Sequence, residues 1–467
     1  MPHAAQTVTV VSVRHRGGPS QAFTAVDDIE CLTSGLSRKN WQKIMILDRY
    51  LDREPGPLER WAELVARMPT RAELDEVAPN HPLNVQSQYD VAQLNSAGLR
   101  AFDLREADLP AGLQVGRDAR GEFNGEVQGF DGMRFIETRL PRPTLVDKVE
   151  GLRGLMAHLN SIGITSVIEA GGGGVTSEDY QALFELWRQG ETTVRVAVRY
   201  QTPDHGTALP WIIATPGRLG DEWMRILGLG EHLNSGIGGT FEQQTVEVLE
   251  DFHASVQGAA AHRLSVHQHV VETKAVANVL DVMERVHQTA PVNGLRFAIV
   301  HGEGLNREQL ERMKRMGMGF AGDVRWMIFS SAHRNANRGF IPDSPPFRTV
   351  LDMGVPLTFG SDGLIAGPIQ PMMWLYSAVT GRNWLGELIR PIQRLTREEA
   401  LFAVTRGAAW LSFDEHWKGA IRPGMLGDLV VLDRDYFAVP EEEIAEIRPV
   451  ITVVGGRVVY EAEASDP

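Results

Sequence analysis

The sequence predicts an α/β protein whose main part is a (β/α)8 TIM-like barrel, with a small accessory β-sandwich built from the C-terminal strands and residual N-terminal strands. Three observations predict this fold class. Helical patterns alternate with short apolar strands from about residue 148 onward. Polar residues stand at the ends of several of these strands, and the chain after residue 411 changes to β-branched segments without helices.

The first observation is the alternation of strands and helices in the central part of the chain. Helices are predicted at 148–159, 270–287 and 306–316. Seven strands can be counted, at 164–168, 194–200, 224–229, 263–269, 296–301, 318–323 and 356–362. Such strands form a barrel or an open doubly wound sheet, and the open sheet normally has a GxGxxG turn after its first strand. The glycines at 171–174 lack this spacing, so a barrel is favoured.

Capping boxes mark the start of several helices. In this pattern, a Ser or Thr side chain bonds the backbone three residues later, and a polar side chain there bonds back. The helix that begins after Thr176 is predicted to end at Gly190, and the helix that begins after Thr396 is predicted to reach Leu411. The pairs are Thr70 with Glu73, Thr176 with Asp179, and Thr396 with Glu399.

Composition divides the chain into three predicted parts. Residues 1–34 are a residual N-terminal β segment, in which only 7–13 resembles a strand. Residues 35–411 form the barrel, with a helical and irregular insertion or lid at 41–147. Residues 412–467 hold the C-terminal strands of the composite β-sandwich, at 427–433 and 450–460.

The composition also excludes several classes of protein. With 43% hydrophobic and 23% charged residues among 467, the chain can bury a large core. A net charge of −14 without a basic run argues against nucleic acid as a partner. No apolar stretch reaches the roughly 18 residues that span a bilayer, and the start lacks a signal-peptide pattern. We therefore expect a cytoplasmic protein with no membrane contact. The single cysteine, Cys31, leaves histidines and carboxylates as candidate metal ligands.

Three polar residues stand at predicted strand ends: His269, His301 and Asp362. They are separated by 32 and 61 residues, which match one and two βα units. In a barrel they would project from strands 5, 6 and 8 toward one cavity. Imidazole and carboxylate ligands suit Zn²⁺, which lowers the pKa of water for attack on an amide carbon. Asp362 is then the natural general base.

Three further residues are weaker candidates for the metal shell. Glu169 ends the predicted strand at 164–168, and it is either a ligand or a carboxylate near a helix start. Glu231 and His232 follow the predicted strand at 224–229, where a rim position without a functional role is the alternative.

Substrate contacts are predicted at three other positions. His267 precedes His269 by two residues, so both lie on one side of the strand if the strand extends that far. A packed histidine is the alternative for His267. Arg325 and His333 are candidates for contact with an anionic substrate, and the alternative for both is a solvated loop.

Several segments resemble the YtcJ-like amidohydrolases, which contain the amidohydrolase-3 domain, and the resemblance runs from about Pro69 to the C-terminus. It implies a metal-dependent barrel hydrolase in which His269 and His301 bind metal from strands 5 and 6, and Asp362 from strand 8. The most specific segments are KGAIRPGMLGDLVVLD at 418–433 and ITVVGGRVVY at 451–460. The others are LNSAGL at 94–99, GITSVIEAGG at 163–172, HVVETKAV at 269–276, IVHGEGL at 299–305 and PLTFGSDG at 356–363.

The chain departs from this family's pattern at two places. The strand 1 His-x-His pair has no counterpart before residue 267, and the strand 4 lysine position falls at about Gly230, beside Glu231 and His232. One explanation is a start that omits or misreads the first part of the gene product. The rival is a divergent subgroup that uses one metal, or none.

The resemblance and the candidate residues together predict a hydrolase for a non-peptide carbon–nitrogen bond, acting through metal-activated water. We expect Zn²⁺ or another divalent metal, one ion rather than two, and a small-molecule substrate. A metal-free lyase, hydratase or isomerase on the same residues is the first alternative. A catalytically silent barrel that binds a small molecule is the second. The exposed sheet edges favour a homodimer.

Overall fold

The structure is a computed structural model. It describes Val13–Arg14, Thr24–Ala25 and residues 69–463, except 81, 88–90, 111, 139–142, 173–176, 202–209, 211, 213, 215–216, 235, 239–240, 329–343, 364–368 and 385. Residues 7–12 of the strand predicted at 7–13, the capping residue Thr176 and the candidate His333 lie outside these residues. The chain divides into two compact units, one of which comprises Met156–Asp362 and Ile369–Pro467, and the other mainly Ala4–Leu155.

The unit made mainly by Ala4–Leu155 contains antiparallel strands as well as helices. The short strands β1 (Val13–Arg14) and β2 (Thr24–Ala25) pair with each other. A second sheet has the order β3-β4-β6-β5, formed by β3 (Asn84–Ser87), β4 (Val91–Leu94), β5 (Val115–Arg117) and β6 (Phe123–Gln128). The helices are α1 (Arg71–Val77), α2 (Ser96–Ala101) and α3 (Gly129–Glu137).

This sheet corrects the expectation that residues 41–147 are helical and irregular. Its strands are only three to six residues long, so no long alternating pattern revealed them. The Thr70 capping box is confirmed at the start of α1. Asn95 joins three segments, because its Oδ1 accepts from the backbone of Leu83 and Gly98, and its Nδ2 donates to the carbonyl of Ala78. That this region acts as an insertion or lid remains a prediction.

The other unit is an α/β barrel, and all seven predicted parallel strands are confirmed. Each of the seven strands pairs in parallel with the next one along the chain. The short strand β9 (Leu219–Gly220) pairs antiparallel with β10 (Met224–Leu229). The inner strand β11 (Ser265–Val270) is buried on both faces, as expected where helices cover a parallel sheet. The seven are β7 (Ser166–Glu169), β8 (Arg195–Tyr200), β10 (Met224–Leu229), β11 (Ser265–Val270), β12 (Ala298–His301), β13 (Gly319–Asp323) and β14 (Leu357–Gly360).

Helices connect these strands. The Thr396 capping box is confirmed, and its helix continues through a π-helical turn at Ala403–Gly407 to Leu411. The helices are α4 (Leu145–Ser161), α5 (Gln181–Gln189), α6 (Val246–Ala261), α7 (Thr273–Thr289), α8 (Arg307–Arg315), α9 (Arg325–Ile328), α10 (Phe347–Asp352), α11 (Pro371–Thr380), α12 (Arg397–Phe402) and α13 (Ala408–Leu411). None of the helices in the described part of the chain is long and apolar enough to cross a membrane.

The C-terminal segment forms the small separate sheet that the sequence predicts. Strands β15 (Leu429–Leu432), β16 (Pro449–Val454) and β17 (Arg457–Glu461) pair antiparallel in that order. Arg195 ties β8 to this segment, since its Nε lies 2.7 Å from Oδ2 of the buried Asp428. The partnership of this sheet with N-terminal strands in a β-sandwich remains a prediction.

Candidate active site

Polar residues at or just beyond the carboxyl ends of β10, β11, β12, β13 and β14 converge at one place. Two overlapping groups of side chains have ligand atoms that lie within 4.8 Å of one another. The first group is Glu231, His269 and His301, and the second is His301, Asp323 and Asp362. His301 belongs to both groups and therefore sits at the centre of the site.

Glu231 directly follows a position that must be glycine. A Cβ atom at Gly230 would lie 1.5 Å from the carbonyl oxygen of Ala170, which leaves no room for any side chain. The strand 4 lysine expected from the family pattern therefore cannot occupy this position. The carboxylate of the next residue, Glu231, reaches the site instead.

The first group surrounds a single point. Oε1 of Glu231 lies 3.3 Å from Nδ1 of His269, and Oε2 lies 3.7 Å from Nε2 of His301. The rings of His269 and His301 meet edge to face at 4.1 Å between centroids. Two atoms that each lie about 2.1 Å from a zinc ion at a tetrahedral angle stand about 3.4 Å apart. The observed separations fit shared coordination of one ion.

The hydrogen bonding of these histidines also fits a metal. Nδ1 of His269 and Nε2 of His301 are buried, and neither has a hydrogen-bond partner in the described part of the chain. Their distances to the Glu231 carboxylate, 3.3 Å and 3.7 Å, suit atoms that share a metal ion. Buried polar atoms are normally satisfied, so two orphan nitrogens facing one carboxylate indicate a cation site.

The electrostatics of the first group depend on burial and on the shared carboxylate. Burial is the main cause that lowers the pKa of His269 to about 3. Although burial would raise the pKa of Glu231, the nearby imidazoles of His232, His269 and His301 hold it well below its usual range. The carboxylate is therefore ionised and the His269 imidazole neutral at pH 7, which are the forms that bind a metal.

His301 is orientated by Asp323, the last residue of β13. Nδ1 of His301 lies 3.0 Å from Oδ2 of Asp323, and both side chains are almost fully buried. Burial alone would lower the pKa of His301, but bonding to Asp323 and Glu231 raises it well above its usual value. A carboxylate behind a ligating imidazole is a common support in metal sites, because it fixes the ring and leaves the other nitrogen for the ion.

Asp362 follows β14 and is held by Arg325. Nη1 of Arg325 lies 2.8 Å from Oδ2 of Asp362, and Nη2 lies 2.7 Å from Oδ2 of Asp323. Burial raises the pKa of Asp362 to about 6, against the opposing charges of Arg325 and His301. Asp362 and His301 both have a left-handed backbone, with φ of 58° and 69°. Such strain in non-glycine residues is typical of functional positions.

Glu303 is a further buried carboxyl group beside this cluster. It is completely buried, and among the described residues neither carboxylate oxygen has a hydrogen-bond partner. Oε1 lies 3.9 Å from Nδ1 of His301, and burial raises the pKa of Glu303 to about 7. The group is therefore divided between its neutral and charged forms near pH 7.

The weaker predicted residues take different places. His232 stacks on His269 at 4.6 Å between centroids, and its Nε2 lies 3.4 Å from Oε1 of Glu231. His267 is buried, and burial lowers its pKa well below the usual value. Glu169 accepts a hydrogen bond from the backbone of Gly171 and belongs to neither ligand group. The predicted roles of His267 and Arg325 in substrate binding remain predictions.

Sequence reasoning missed two residues of this site. Asp323 ends β13, one residue beyond Gly322, which pairs with His301 at the end of β12, so the strand-end argument applied to it equally well. Glu303 had no such signal, because it lies in a loop that turns at Gly302 and Gly304. Glu231 was predicted only as a weaker candidate ligand, whereas its carboxylate contacts all three neighbouring histidines.

The fold and the site together define an α/β barrel protein with a histidine and carboxylate centre at the carboxyl ends of its strands. The chain belongs to the amidohydrolase family, whose Amidohydro_3 profile matches residues 59–460. The predicted family and barrel fold are therefore confirmed.

Individual relatives agree with this assignment. YtcJ of Bacillus subtilis (strain 168) is 26% identical over 216 residues, a match that spans 44% of this chain and only 39% of YtcJ. N-substituted formamide deformylase of Arthrobacter pascens is 24% identical over 488 residues, covering 96% of this chain and 87% of the relative. An uncharacterized metal-dependent hydrolase from Pyrococcus horikoshii OT3 has a similar fold, with a TM-score of 0.59 and 21% identity over 82% of this chain and 77% of that one.

Proposed function

We propose that this protein hydrolyses a non-peptide carbon–nitrogen bond of the amide type in a small molecule, with the help of one divalent cation. The observation that carries the proposal is the pair of buried imidazole nitrogens of His269 and His301, which face the Glu231 carboxylate and have no hydrogen-bond partner among the described residues. The name of the Arthrobacter pascens relative, an N-substituted formamide deformylase, supports an amide-type substrate.

Glu231, His269 and His301 would hold the cation. Two imidazoles and one carboxylate, with a fourth position open, are a ligand set typical of catalytic zinc sites. When bound, the cation supplies Lewis acidity, which lowers the pKa of water and polarises the substrate carbonyl. The neutral His269 and the ionised Glu231 need no further change of protonation to serve as ligands.

Asp362 would act as the general base. Its pKa of about 6 allows the carboxylate to be ionised at neutral pH and still to accept a proton during the reaction. Asp362 would take a proton from the attacking water as oxygen bonds to the carbonyl carbon. It would return that proton to the leaving nitrogen as the carbon–nitrogen bond breaks, so that an amide and water give a carboxylic acid and an amine.

The test is metal content together with amide turnover. Elemental mass spectrometry of the full chain, dialysed without chelator, should give about one equivalent of zinc or manganese. Turnover of N-substituted formamides and simple amides should disappear with chelator and return with the metal. His269→Ala should lose both, whereas the control His287→Ala, on α7 outside both ligand groups, should lose neither.

Other outcomes would overturn the proposal. Turnover that survives chelation and His269→Ala would favour a metal-free lyase, hydratase or isomerase. A protein without turnover that is nonetheless stabilised by a small molecule, and that loses this stabilisation in His301→Ala, would be a silent binding barrel.

A further inference from the structure

The second group of candidate ligands lies next to the proposed metal site. His301, Asp323 and Asp362 place one imidazole and two carboxylates within 4.8 Å of one another. Donors of these types suit a divalent cation, and by themselves they would describe a second metal position.

A positive charge of the protein already contacts this group. Nη2 of Arg325 lies 2.7 Å from Oδ2 of Asp323, and Nη1 lies 2.8 Å from Oδ2 of Asp362. One guanidinium thus spans both carboxylates. The side chain is buried, and it is anchored at its own backbone, where the amide of Arg325 donates to Oδ1 of Asp323 over 2.8 Å.

The guanidinium and a metal ion cannot share these oxygens. An ion would lie about 2.1 Å from each oxygen, in the space to which the N–H groups of Arg325 now point. Two positive charges would then be in contact in a buried site. A lysine would be able to lose its proton to admit the ion, but an arginine in a protein does not deprotonate.

We infer that the guanidinium of Arg325 takes the place of a second metal ion and limits this centre to a single divalent cation. This inference rests on the proposed function only in taking Glu231, His269 and His301 as the ligands of the one cation. It assigns Arg325 a positioning role, because the fork of N–H groups holds the carboxylate of Asp362 at a fixed distance from that of Asp323.

The inference is tested by counting ions in the full-length protein at saturating Mn²⁺ and Zn²⁺. Arg325→Met removes the charge and keeps an apolar stem, so it should bind one equivalent more than the natural sequence. Arg285→Met changes an arginine on α7 outside both ligand groups and should leave the count unchanged.

The inference is decided by the difference in the number of bound ions per chain between Arg325→Met and the natural sequence. Two equivalents in the natural sequence, or equal counts in both proteins, would overturn the inference. If the natural sequence binds no ion and Arg325→Met binds one, the proposed function fails and the inference on Arg325 stands.

A second measurement applies if Arg325→Met does not fold. Electron paramagnetic resonance of the natural sequence at saturating Mn²⁺ should show isolated ions. A spin-coupled manganese pair would overturn the inference without any variant.

Discussion

Nδ1 of His301 lies 3.0 Å from Oδ2 of Asp323, and this contact determines which ring nitrogen is available at the centre of the site. Because Nδ1 is engaged, Nε2 is the nitrogen that faces Glu231, 3.7 Å away. The ring is thus aligned by the protein before an ion binds, which reduces the cost of assembling the site.

Asp323→Asn should weaken metal binding without abolishing it. The amide keeps the shape of the side chain but removes the charge that supports His301, and losses of a supporting carboxylate typically cost about 10- to 100-fold in metal affinity. Competition with a chromophoric chelator measures this change. Asp352→Asn, which alters an exposed carboxylate beside Arg348, is the control. Equal affinities for Asp323→Asn and the natural sequence would contradict the supporting role.

Glu231→Gln should have the larger effect on metal binding. It removes the carboxylate that both orphan imidazole nitrogens face, so we expect a loss of affinity of at least about 100-fold. Glu169→Gln is the matched control, because Glu169 also lies at a strand end but accepts a hydrogen bond from the backbone of Gly171. Titration calorimetry with Zn²⁺ distinguishes the two variants. If Glu169→Gln loses the metal and Glu231→Gln keeps it, the ligand assignment is wrong.

Asp362→Asn should lower turnover while the metal remains bound. General-base groups typically contribute about 10²- to 10⁴-fold to a rate, and asparagine cannot accept the proton. We expect kcat to fall by that factor with one equivalent of metal retained. The measurements are steady-state kinetics on the best amide found in the screen and elemental analysis of the same sample. Unchanged turnover would remove Asp362 from the role of base.

Arg312→Met should reduce stability in a pH-dependent way. Arg312 on α8 contacts Asp281 at 2.6 Å and Glu284 at 2.8 Å, both on α7. Burial would raise the pKa of Glu284, but bonding to Arg312 and Arg315 lowers it below the usual 4.5. A carboxylate with a lowered folded pKa stabilises the protein above its unfolded pKa, and this contribution disappears as the pH falls through the folded value.

We therefore expect Arg312→Met to lower the free energy of unfolding by about 1 kcal/mol at pH 7, and by progressively less below pH 4.5. Urea unfolding at several pH values measures this. Arg285→Met, on α7, removes a more exposed pair with Glu250 and should change little at any pH. A loss of stability that is equal at pH 7 and at low pH would indicate lost packing instead of lost charge.

The barrel could be predicted because its signals are local and repeated. Each strand is a short apolar run between helices, and the spacing of His269, His301 and Asp362 reports one and two βα units whatever the details of packing. The same argument placed these three residues at one end of the sheet. The argument was not applied to Asp323, although Asp323 also stands at a strand end.

The rest of the site depends on contacts that no local pattern reveals. Glu231 directly follows a close backbone approach between Gly230 and Ala170, which are 60 residues apart in the sequence. The pairing of Arg325 with two carboxylates depends on the turn that follows β13. The antiparallel strands before residue 130 were missed because each is short.

The close approach at Gly230 has a consequence for redesign of this protein. A laboratory that wished to install a bridging lysine on this strand could not do so by one codon change, since even a methyl group would collide with the carbonyl of Ala170. The neighbouring loop would have to be rebuilt first, and the carboxylate of Glu231 would then lose its present route into the site. Placing a lysine at this position is therefore a backbone problem before it is a side-chain problem.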